Sequence, residues 1–169
     1  MKQVKCAQGF TLVELVMVLV LVGILSAAAL GLFASRGSYS AALAKDQFIA
    51  AVLQAQQRAL AQHSGTPVTL RIHQGADEWF VSVFQGIAPF DTSCATDNAP
   101  LFKDLCIERA GATLQIGALT LADGSFRDVN FSAQGNTGEL ANLSVVFAGE
   151  KAYTLCLTRA GFAFEGACP

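Results

Sequence analysis

Residues Lys5 to Leu25 read KCAQGFTLVELVMVLVLVGIL, and this stretch decides how the rest of the chain is organised. Lys2 and Lys5 precede an apolar run, and no charged residue occurs from Leu15 to Ala34. A helix of that length can cross the apolar core of a bilayer. The carboxylate inside the quoted stretch, Glu14, would cost about 2–3 kcal/mol deep in lipid. Any interpretation of the segment therefore has to explain Glu14.

Two general interpretations leave Glu14 unexplained. A secretory signal would be cleaved near the small residues Ser26-Ala27-Ala28-Ala29 and lost. A plain membrane anchor would be retained. Basic residues do not fix its orientation, because Lys2 and Lys5 on one side are matched by Arg36 and Lys45 on the other.

A third interpretation accounts for the glutamate. The residues Gly9-Phe10-Thr11-Leu12-Val13-Glu14 resemble the processing site of type IV pilins and pseudopilins. The resemblance implies that a prepilin peptidase cuts between Gly9 and Phe10 on the cytoplasmic side, that Phe10 becomes the N-methylated amino terminus, and that the apolar helix is retained. It also implies that Glu14 of one subunit pairs with the Phe10 amine of its neighbour. Such a pair offsets desolvation and sets the register of assembly.

The chain is accordingly divided into a cleaved leader, residues 1–9, a transmembrane or filament-core helix, residues 10–35, and a periplasmic globular head, residues 36–169. After a polar, flexible patch at residues 36–40, the stretch Leu43 to Gln62 has the periodicity of an amphipathic helix. The apolar face of that helix is predicted to contain Phe48, Ile49, Val52, Leu53, Gln56 and Leu60. Since the first proline is Pro67, one long helix from about Phe10 to about Gln62 is expected, with its amphipathic half, 41–62, in the head.

The remainder of the chain is predicted to form strands separated by turns rich in glycine, aspartate and asparagine. These features predict an α+β fold, in which the amphipathic half of the long helix packs on an antiparallel sheet. Residues from Pro89 to Arg109 are the least regular and are predicted to form a surface loop. The predicted strands are Val68–Ile72, Trp79–Phe84, Thr113–Ile116, Val129–Phe131, Ser144–Phe147, Tyr153–Leu157 and Gly161–Phe164.

Five cysteines raise the question of a spare thiol. Cleavage after Gly9 would remove Cys6 and leave four, which suits two disulfides in an oxidising compartment. Cys94–Cys106 and Cys156–Cys168 would each close a loop of similar length, but four cysteines allow three pairings.

Composition and motifs give little sign of chemistry. The net charge is −2, and basic residues form no cluster of the kind that tracks phosphates, so nucleic acid is not expected as a partner. Neither histidine, His63 or His73, lies in a metal-binding motif. Asp77, Glu78 and Asp123 lie in turn contexts where carboxylates commonly bind backbone donors. No catalytic residue, metal or cofactor is predicted, and the chain is not expected to be an enzyme.

The head carries a second resemblance. The stretch from Val129 to Gly135 looks like the F-x-x-x-G segment of a minor pilin group that includes the H-type pseudopilin of type II secretion and the FimT-like pilins. The ending from Tyr153 to Phe162, followed by Cys168, resembles MshC-like minor pilins of mannose-sensitive haemagglutinin pili.

These resemblances imply a minor pilin that initiates or caps a type IV pilus. A minor pseudopilin of type II secretion, or a FimT-like DNA-binding pilin, are the alternatives. The latter is disfavoured because only Arg159 lies where the DNA-binding pilins often have two arginines. Other pilin subunits, the prepilin peptidase, the inner-membrane assembly platform and membrane lipid before assembly are the implied partners. The implied location is the bacterial inner membrane, crossed once with the amino terminus in the cytoplasm, and then the filament.

Overall fold

The computed structural model describes residues 11–32, 36–62, 65–88, 94 and 105–169, with the backbone alone over 28–32 and 36–38. The chain divides into two compact units, residues 1–35 and residues 36–169. The first unit contains the helix α1, Leu12–Leu32, and the second contains the helix α2, Arg36–Leu60, and nine strands. Residues 33–35 lie outside the described part of the chain, so one continuous helix from Phe10 to Gln62 remains a prediction.

Helix α2 begins earlier than the sequence suggested. The patch at 36–40 was expected to be flexible, but it forms the first turns of the helix. The hydroxyl of Ser40 donates to the backbone carbonyl of Glu108, and the next residue, Ala41, is fully buried. The burial of Ala41 and the hydrogen bond of Ser40 stabilise the helical conformation of a stretch whose composition alone is typical of a loop.

The buried face of α2 consists largely of small residues. Phe48 and Val52 are buried as predicted, whereas Leu53 and Leu60, also assigned to the apolar face, remain 51% and 55% exposed. Small side chains allow the helix backbone to lie close to the strands. The buried alanines are Ala41, Ala44, Ala51, Ala55 and Ala59.

The strands form two antiparallel sheets where the sequence suggested one. The first sheet has the order β3-β2-β1-β6 and the second the order β5-β4-β7-β8-β9. Helix α2 packs on strands of both. The strands are β1, Val68–Gln74; β2, Glu78–Gln85; β3, Leu105–Glu108; β4, Thr113–Ile116; β5, Leu119–Thr120; β6, Phe126–Phe131; β7, Leu143–Ala148; β8, Ala152–Leu157; and β9, Ala163–Glu165.

The expected α+β class is therefore correct. The observed strand bounds differ from the predicted ones for local reasons. Strand β3 lies within the region predicted to be a loop; it is short and only Ile107 in it is buried. Strand β6 begins three residues before the predicted start, because Asp128 accepts two hydrogen bonds from Arg71 on the adjacent β1. Strand β9 begins at Ala163, since Gly161 has a positive φ and belongs to a turn.

One core joins the helix and the two sheets. The Trp79 ring, on β2, meets the Phe147 ring, on β7, edge-on with centroids 5.3 Å apart. Phe48 of α2 meets the same Phe147 ring edge-on at 5.9 Å. All three side chains are at most 2% exposed. Edge-to-face packing of this kind stabilises aromatic pairs beyond their buried area, so this triad binds the three layers together.

Candidate assembly segment and the two ends of the head

The first turn of α1 contains the predicted assembly residue, Glu14. Its backbone N–H donates to the hydroxyl of Thr11 at 3.2 Å, and the N–H of Leu15 donates to the Thr11 carbonyl, also at 3.2 Å. Thr11 is thus the N-cap of α1. A carboxylate in the first turn is favoured by the positive end of the helix dipole. The predicted cleavage site, Gly9 and Phe10, lies outside the described residues.

The role of Thr11 was missed in the sequence. Thr11-Leu12-Val13-Glu14 has the T-x-x-E spacing of a capping box, which marks the start of a helix. The same glutamate therefore suits the start of a helix as well as an assembly contact. The cap places Glu14 at a defined position, one turn from the predicted new amino terminus.

The apolar side chains of α1 are exposed along the part of the helix whose side chains the structure describes. Every residue from Thr11 to Ala27 is exposed, and the exposed fractions of the large side chains run from 49% at Val16 to 78% at Leu12. Among the residues that the structure describes, no helix is both long and apolar enough to cross a membrane. A helix that is apolar on all sides is normally buried in protein or lipid.

Both disulfides are formed in the structure, and they join Cys94 to Cys106 and Cys156 to Cys168. Cys156 lies on β8 with no exposed surface, and Cys168 is the penultimate residue of the sequence. Cys106 lies on β3, and the N–H of Cys94 donates to the Glu78 carboxylate at 3.0 Å. One bond therefore fastens the tail to the second sheet, and the other fastens the β2–β3 connection to the first.

The two motif stretches of the head meet at one end, which we call the glycine end. It consists of the turn at residues 132–137, the turn at residues 158–162 and the last turns of α2. The N–H of Thr137 donates to the Arg159 carbonyl at 2.9 Å, which links the two sheets. From α2, the amide of Gln56 donates to the Ala160 carbonyl at 2.9 Å and the Gly135 carbonyl at 3.4 Å.

This junction requires two glycines. Gly135 and Gly161 have φ values of 77° and 87°, which disfavour other residues. A Cβ on Gly161 would collide with the Gly135 carbonyl oxygen, and a Cβ on Gly135 would lie 3.1 Å from a Leu60 methyl carbon. The motif glycines therefore serve close packing of two turns and a helix.

The opposite end of the head, which we call the arginine end, is closed by Arg109. Its guanidinium donates to the carbonyls of Gly75, Ala76 and Ala112 at 2.5–3.0 Å and to Asp123 at 2.6 Å. The buried amide of Gln74 donates to the Leu121 carbonyl and accepts the indole N–H of Trp79. Arg109 itself is only 7% exposed.

The polar groups of the arginine end are used in hydrogen bonds that hold the structure together. Four acceptors use the guanidinium, and the Asp123 side chain is 61% exposed. Hydrogen bonds from Arg109, and then from Gln74, lower the pKa of Asp123 below its ordinary value. An ionised carboxylate that already forms an ion pair is a poor proton acceptor. The geometry therefore favours a structural role for Asp123, in which it stabilises its turn, over general base catalysis.

The other residues considered for chemistry lie apart. His73 is on β1 and its Nδ1 is buried without a hydrogen-bond partner, while His63 lies outside the described residues. Within the described ranges, no three potential ligands come together as a metal site. Glu165, which follows Arg159 in the sequence, forms an ion pair with Lys45 at 2.8 Å.

The comparisons with known proteins concern the amino-terminal segment. Residues 4–30 match the family model described as the prokaryotic N-terminal methylation motif. No curated protein and no solved structure matches the chain. The matched segment includes Gly9, Phe10 and Glu14, whereas the head motifs find no counterpart in these comparisons.

The motif is that of pilin-like proteins, which have structural and not catalytic roles. Its match coincides with an apolar helix that has a glutamate in its first turn. The second unit adds a helix packed on antiparallel sheets, as in a pilin head. The motif and the α+β fold are thus features in which this chain is similar to type IV pilins and pseudopilins.

Proposed function

We propose that the chain is a minor pilin that initiates or caps a type IV pilus of the mannose-sensitive haemagglutinin type. The observation that carries the proposal is the methylation motif over residues 4–30. A prepilin peptidase cuts between Gly9 and Phe10, Phe10 is methylated, and α1 is kept as the anchor of a periplasmic head. The minor role is supported by the meeting of the two motif stretches, Val129–Gly135 and Tyr153–Phe162, at the glycine end.

Glu14 is the assembly residue in this proposal. In the membrane it lies in the first helical turn, and in the filament it pairs with the Phe10 amine of an adjacent subunit. The pairing compensates desolvation of both charges and selects one axial register. The other subunits, the peptidase and the inner-membrane assembly platform are the partners that this scheme requires.

A minor pseudopilin of type II secretion shares the same chemistry and remains the second candidate. DNA binding in the manner of FimT-like pilins is less well supported, because Arg159 is the one basic residue of the turn at 158–162 and Glu165 nearby adds negative charge. Salt-sensitive gel shifts of duplex DNA with the head, residues 36–169, would restore the DNA-binding alternative.

The first experiment identifies the mature amino terminus by mass spectrometry of membranes from the native host. We expect methylated Phe10 and loss of Cys6, which leaves an even set of four cysteines. A chain beginning near Ala28 or Ala29 would instead identify a secretory signal and would overturn the filament function.

The second experiment tests Glu14. We expect Glu14→Gln, which keeps the size of the side chain but removes its charge, to insert into the membrane and be cleaved normally, yet to be depleted from sheared filaments. Glu14→Asp, which keeps the charge, serves as the matched control. If Glu14→Gln enters filaments as well as the wild-type protein does, the amine-pairing mechanism is wrong.

A further inference from the structure

Two asparagines of the head lie in the acceptor pattern for N-linked glycosylation. That pattern is an asparagine, any residue except proline, and then a serine or threonine. It occurs at Asn130-Phe131-Ser132 and again at Asn142-Leu143-Ser144. Because a glycan is bulky and hydrophilic, a modified asparagine has to lie at the surface of the folded protein. The place of each asparagine in the fold therefore decides between the two.

The side chain of Asn130 points into solvent from β6. Its neighbours Val129 and Phe131 are buried in the core, whereas Asn130 itself is exposed, as the alternation along a strand requires. Its side-chain oxygen accepts the hydroxyl of Thr69, on the adjacent β1, at 2.8 Å. Its side-chain nitrogen makes no hydrogen bond with any residue that the structure describes. A sugar on that nitrogen would displace water alone and would keep the bond to Thr69.

The surroundings of Asn130 leave space for a bulky group. The N–H of Gly138 donates to the Asn130 carbonyl at 2.8 Å. A Cβ at position 138 would lie 4.0 Å from the Cβ of Asn130, and glycine leaves this space open. Ser132, which completes the pattern, is half-buried, and its hydroxyl forms no hydrogen bond within the described part of the chain. Neither the asparagine nor the serine is thus needed elsewhere in a way that a glycan would disturb.

Asn142 is less suited to the same modification. It is half-buried, and its side-chain oxygen accepts the N–H of Arg159 at 3.1 Å, next to the packed turns of the glycine end. The two patterns also differ in charge. Asp128 lies two positions before Asn130, whereas Leu140 lies two positions before Asn142. An enzyme that recognises a carboxylate together with the serine hydroxyl would select the first pattern.

We propose that Asn130 carries an N-linked glycan. The donor is a glycosyl diphosphate, carried by a polyprenyl lipid or by a nucleotide. The Asn130 Nδ2 forms a bond to the anomeric carbon of the sugar while the bond from that carbon to the diphosphate oxygen breaks. The diphosphate leaves with the bonding electrons, and the amide loses one proton to a base of the transferase. Since Phe131, inside the pattern, is fully buried in the folded head, the transfer precedes the folding of β6.

A glycan at this position would shield the edge of a sheet. Strand β6 is the last strand of the first sheet, and an open strand edge can pair with another chain. A bulky hydrophilic group on the edge strand opposes such pairing. The proposal goes beyond the filament function and adds to it that the surface around Asn130 faces solvent in the filament.

The test is mass spectrometry of the full-length protein from membranes of its native host. Cleavage after Arg127 and after Glu139 releases residues 128–139, which contain Asn130 but not Asn142. We expect this peptide to carry the added mass of a glycan, with fragments that place the sugar on Asn130. An oligosaccharide identifies the lipid-linked donor and a single hexose the nucleotide-linked donor, and both support the site. An unmodified peptide, or a sugar on Ser132 or on Asn142 alone, would overturn the proposal.

A matched pair of substitutions sharpens the test. Ser132→Ala removes the hydroxyl that completes the pattern and should abolish modification of Asn130, whereas Ser132→Thr keeps a hydroxyl and should retain it. Asn142→Gln should leave the glycan on Asn130 unchanged. Equal modification of Ser132→Ala and the wild-type protein would show that the pattern is not what is recognised. The wild-type peptide decides the question even if a variant fails to accumulate.

The amino terminus, read in the same spectra, separates this proposal from the filament function. A chain that begins at methylated Phe10 and has an unmodified Asn130 overturns the glycan and leaves the filament function standing. A chain that begins near Ala28 and carries the glycan overturns the filament function alone. A chain that begins near Ala28 with an unmodified Asn130 overturns both.

Discussion

At the glycine end of the head, the uncharged side-chain amide of Gln56, on helix α2, binds two turns. At the arginine end, the charged guanidinium of Arg109 binds three turns. Gln56 binds carbonyls of Gly135 and Ala160, and Arg109 binds carbonyls of Gly75, Ala76 and Ala112 as well as Asp123. Strand β1 runs from one end to the other, from Val68, paired with Phe131, to Gln74, whose amide shares the Asp123 carboxylate with Arg109.

The difference shows two ways to close the end of a sheet structure. At the glycine end, the absence of side chains allows backbones to touch, and the hydrogen bonds are neutral. At the arginine end, a buried guanidinium fills the space and satisfies several carbonyls at once. The first arrangement should be sensitive to added volume, and the second to loss of a donor or of charge.

The largest expected effect is that of Gly161→Ala. The left-handed backbone costs about 1–2 kcal/mol and overpacking about 1–3 kcal/mol more, so the head should lose roughly 2–5 kcal/mol. Gly111→Ala at the arginine end is the matched control. Its φ of 81° is close to the 87° of Gly161, but a Cβ there would meet no atom of the described residues within 4 Å. Urea unfolding of the head, residues 36–169, measures both. Equal losses would show that backbone strain alone, and not the contact between turns, is responsible.

The next largest effect is expected from Arg109→Met. The substitution keeps an unbranched apolar stem but leaves carbonyls without donors, and it should destabilise the head by about 2–4 kcal/mol. Arg127→Met removes an arginine whose side chain is 39% exposed and ion-paired to Glu139, and should cost at most about 1 kcal/mol. A similar loss in both variants would mean that burial of Arg109 contributes little.

The comparison of the two ends also shows what the sequence could reveal. The segments of the glycine end, Val129–Gly135 and Tyr153–Phe162, were singled out in the sequence through their resemblance to minor pilins. Periodicity placed Gln56 on the inner face of α2, but its partners lie far away in the chain and could not be identified. The exposure of Leu53 and Leu60 was missed for a related reason, since the depth of helix packing depends on the opposing strands.

The arginine end had no such signature. Arg109 ended a region predicted to be a loop, and Asp123 and Asp77 looked like ordinary turn residues. Their connection depends on the antiparallel register, which brings the turns before β2, β4 and β6 to one end of the head. The amino terminus is the opposite case, because Glu14 was recognisable in the sequence as a carboxylate within an apolar run. That signal, a carboxylate next to a long apolar run, is the one on which the proposed assembly contact rests.

A smaller effect is expected from Gln56→Ala. The loss of the two hydrogen bonds to carbonyl oxygens should cost about 1 kcal/mol. Gln57→Ala is a matched control on the same helix turn, because Gln57 is exposed. The free energy of unfolding of the two head variants should differ by that amount, and identical values would show that water replaces the Gln56 amide without loss.

The smallest effect is expected from Asp123→Asn, and its pH dependence tests the charged character of the arginine end. Hydrogen bonds from Arg109 and Gln74 lower the pKa of Asp123 below 3.8 in the folded head. The ionised carboxylate therefore contributes stability at pH values above its unfolded pKa, and the contribution is lost as the pH falls through the folded pKa.

The acid-induced fall in melting temperature should consequently be shallower in Asp123→Asn than in the wild-type head, with the two curves converging once the pH lies below the folded pKa of Asp123. Gln56→Ala, which changes only neutral groups, should shift the curve downward without changing its shape. Parallel curves for Asp123→Asn and the wild type would mean that the carboxylate acts at this end only as a neutral hydrogen-bond acceptor. The difference between a charged and an uncharged closure would then lie in Arg109 alone.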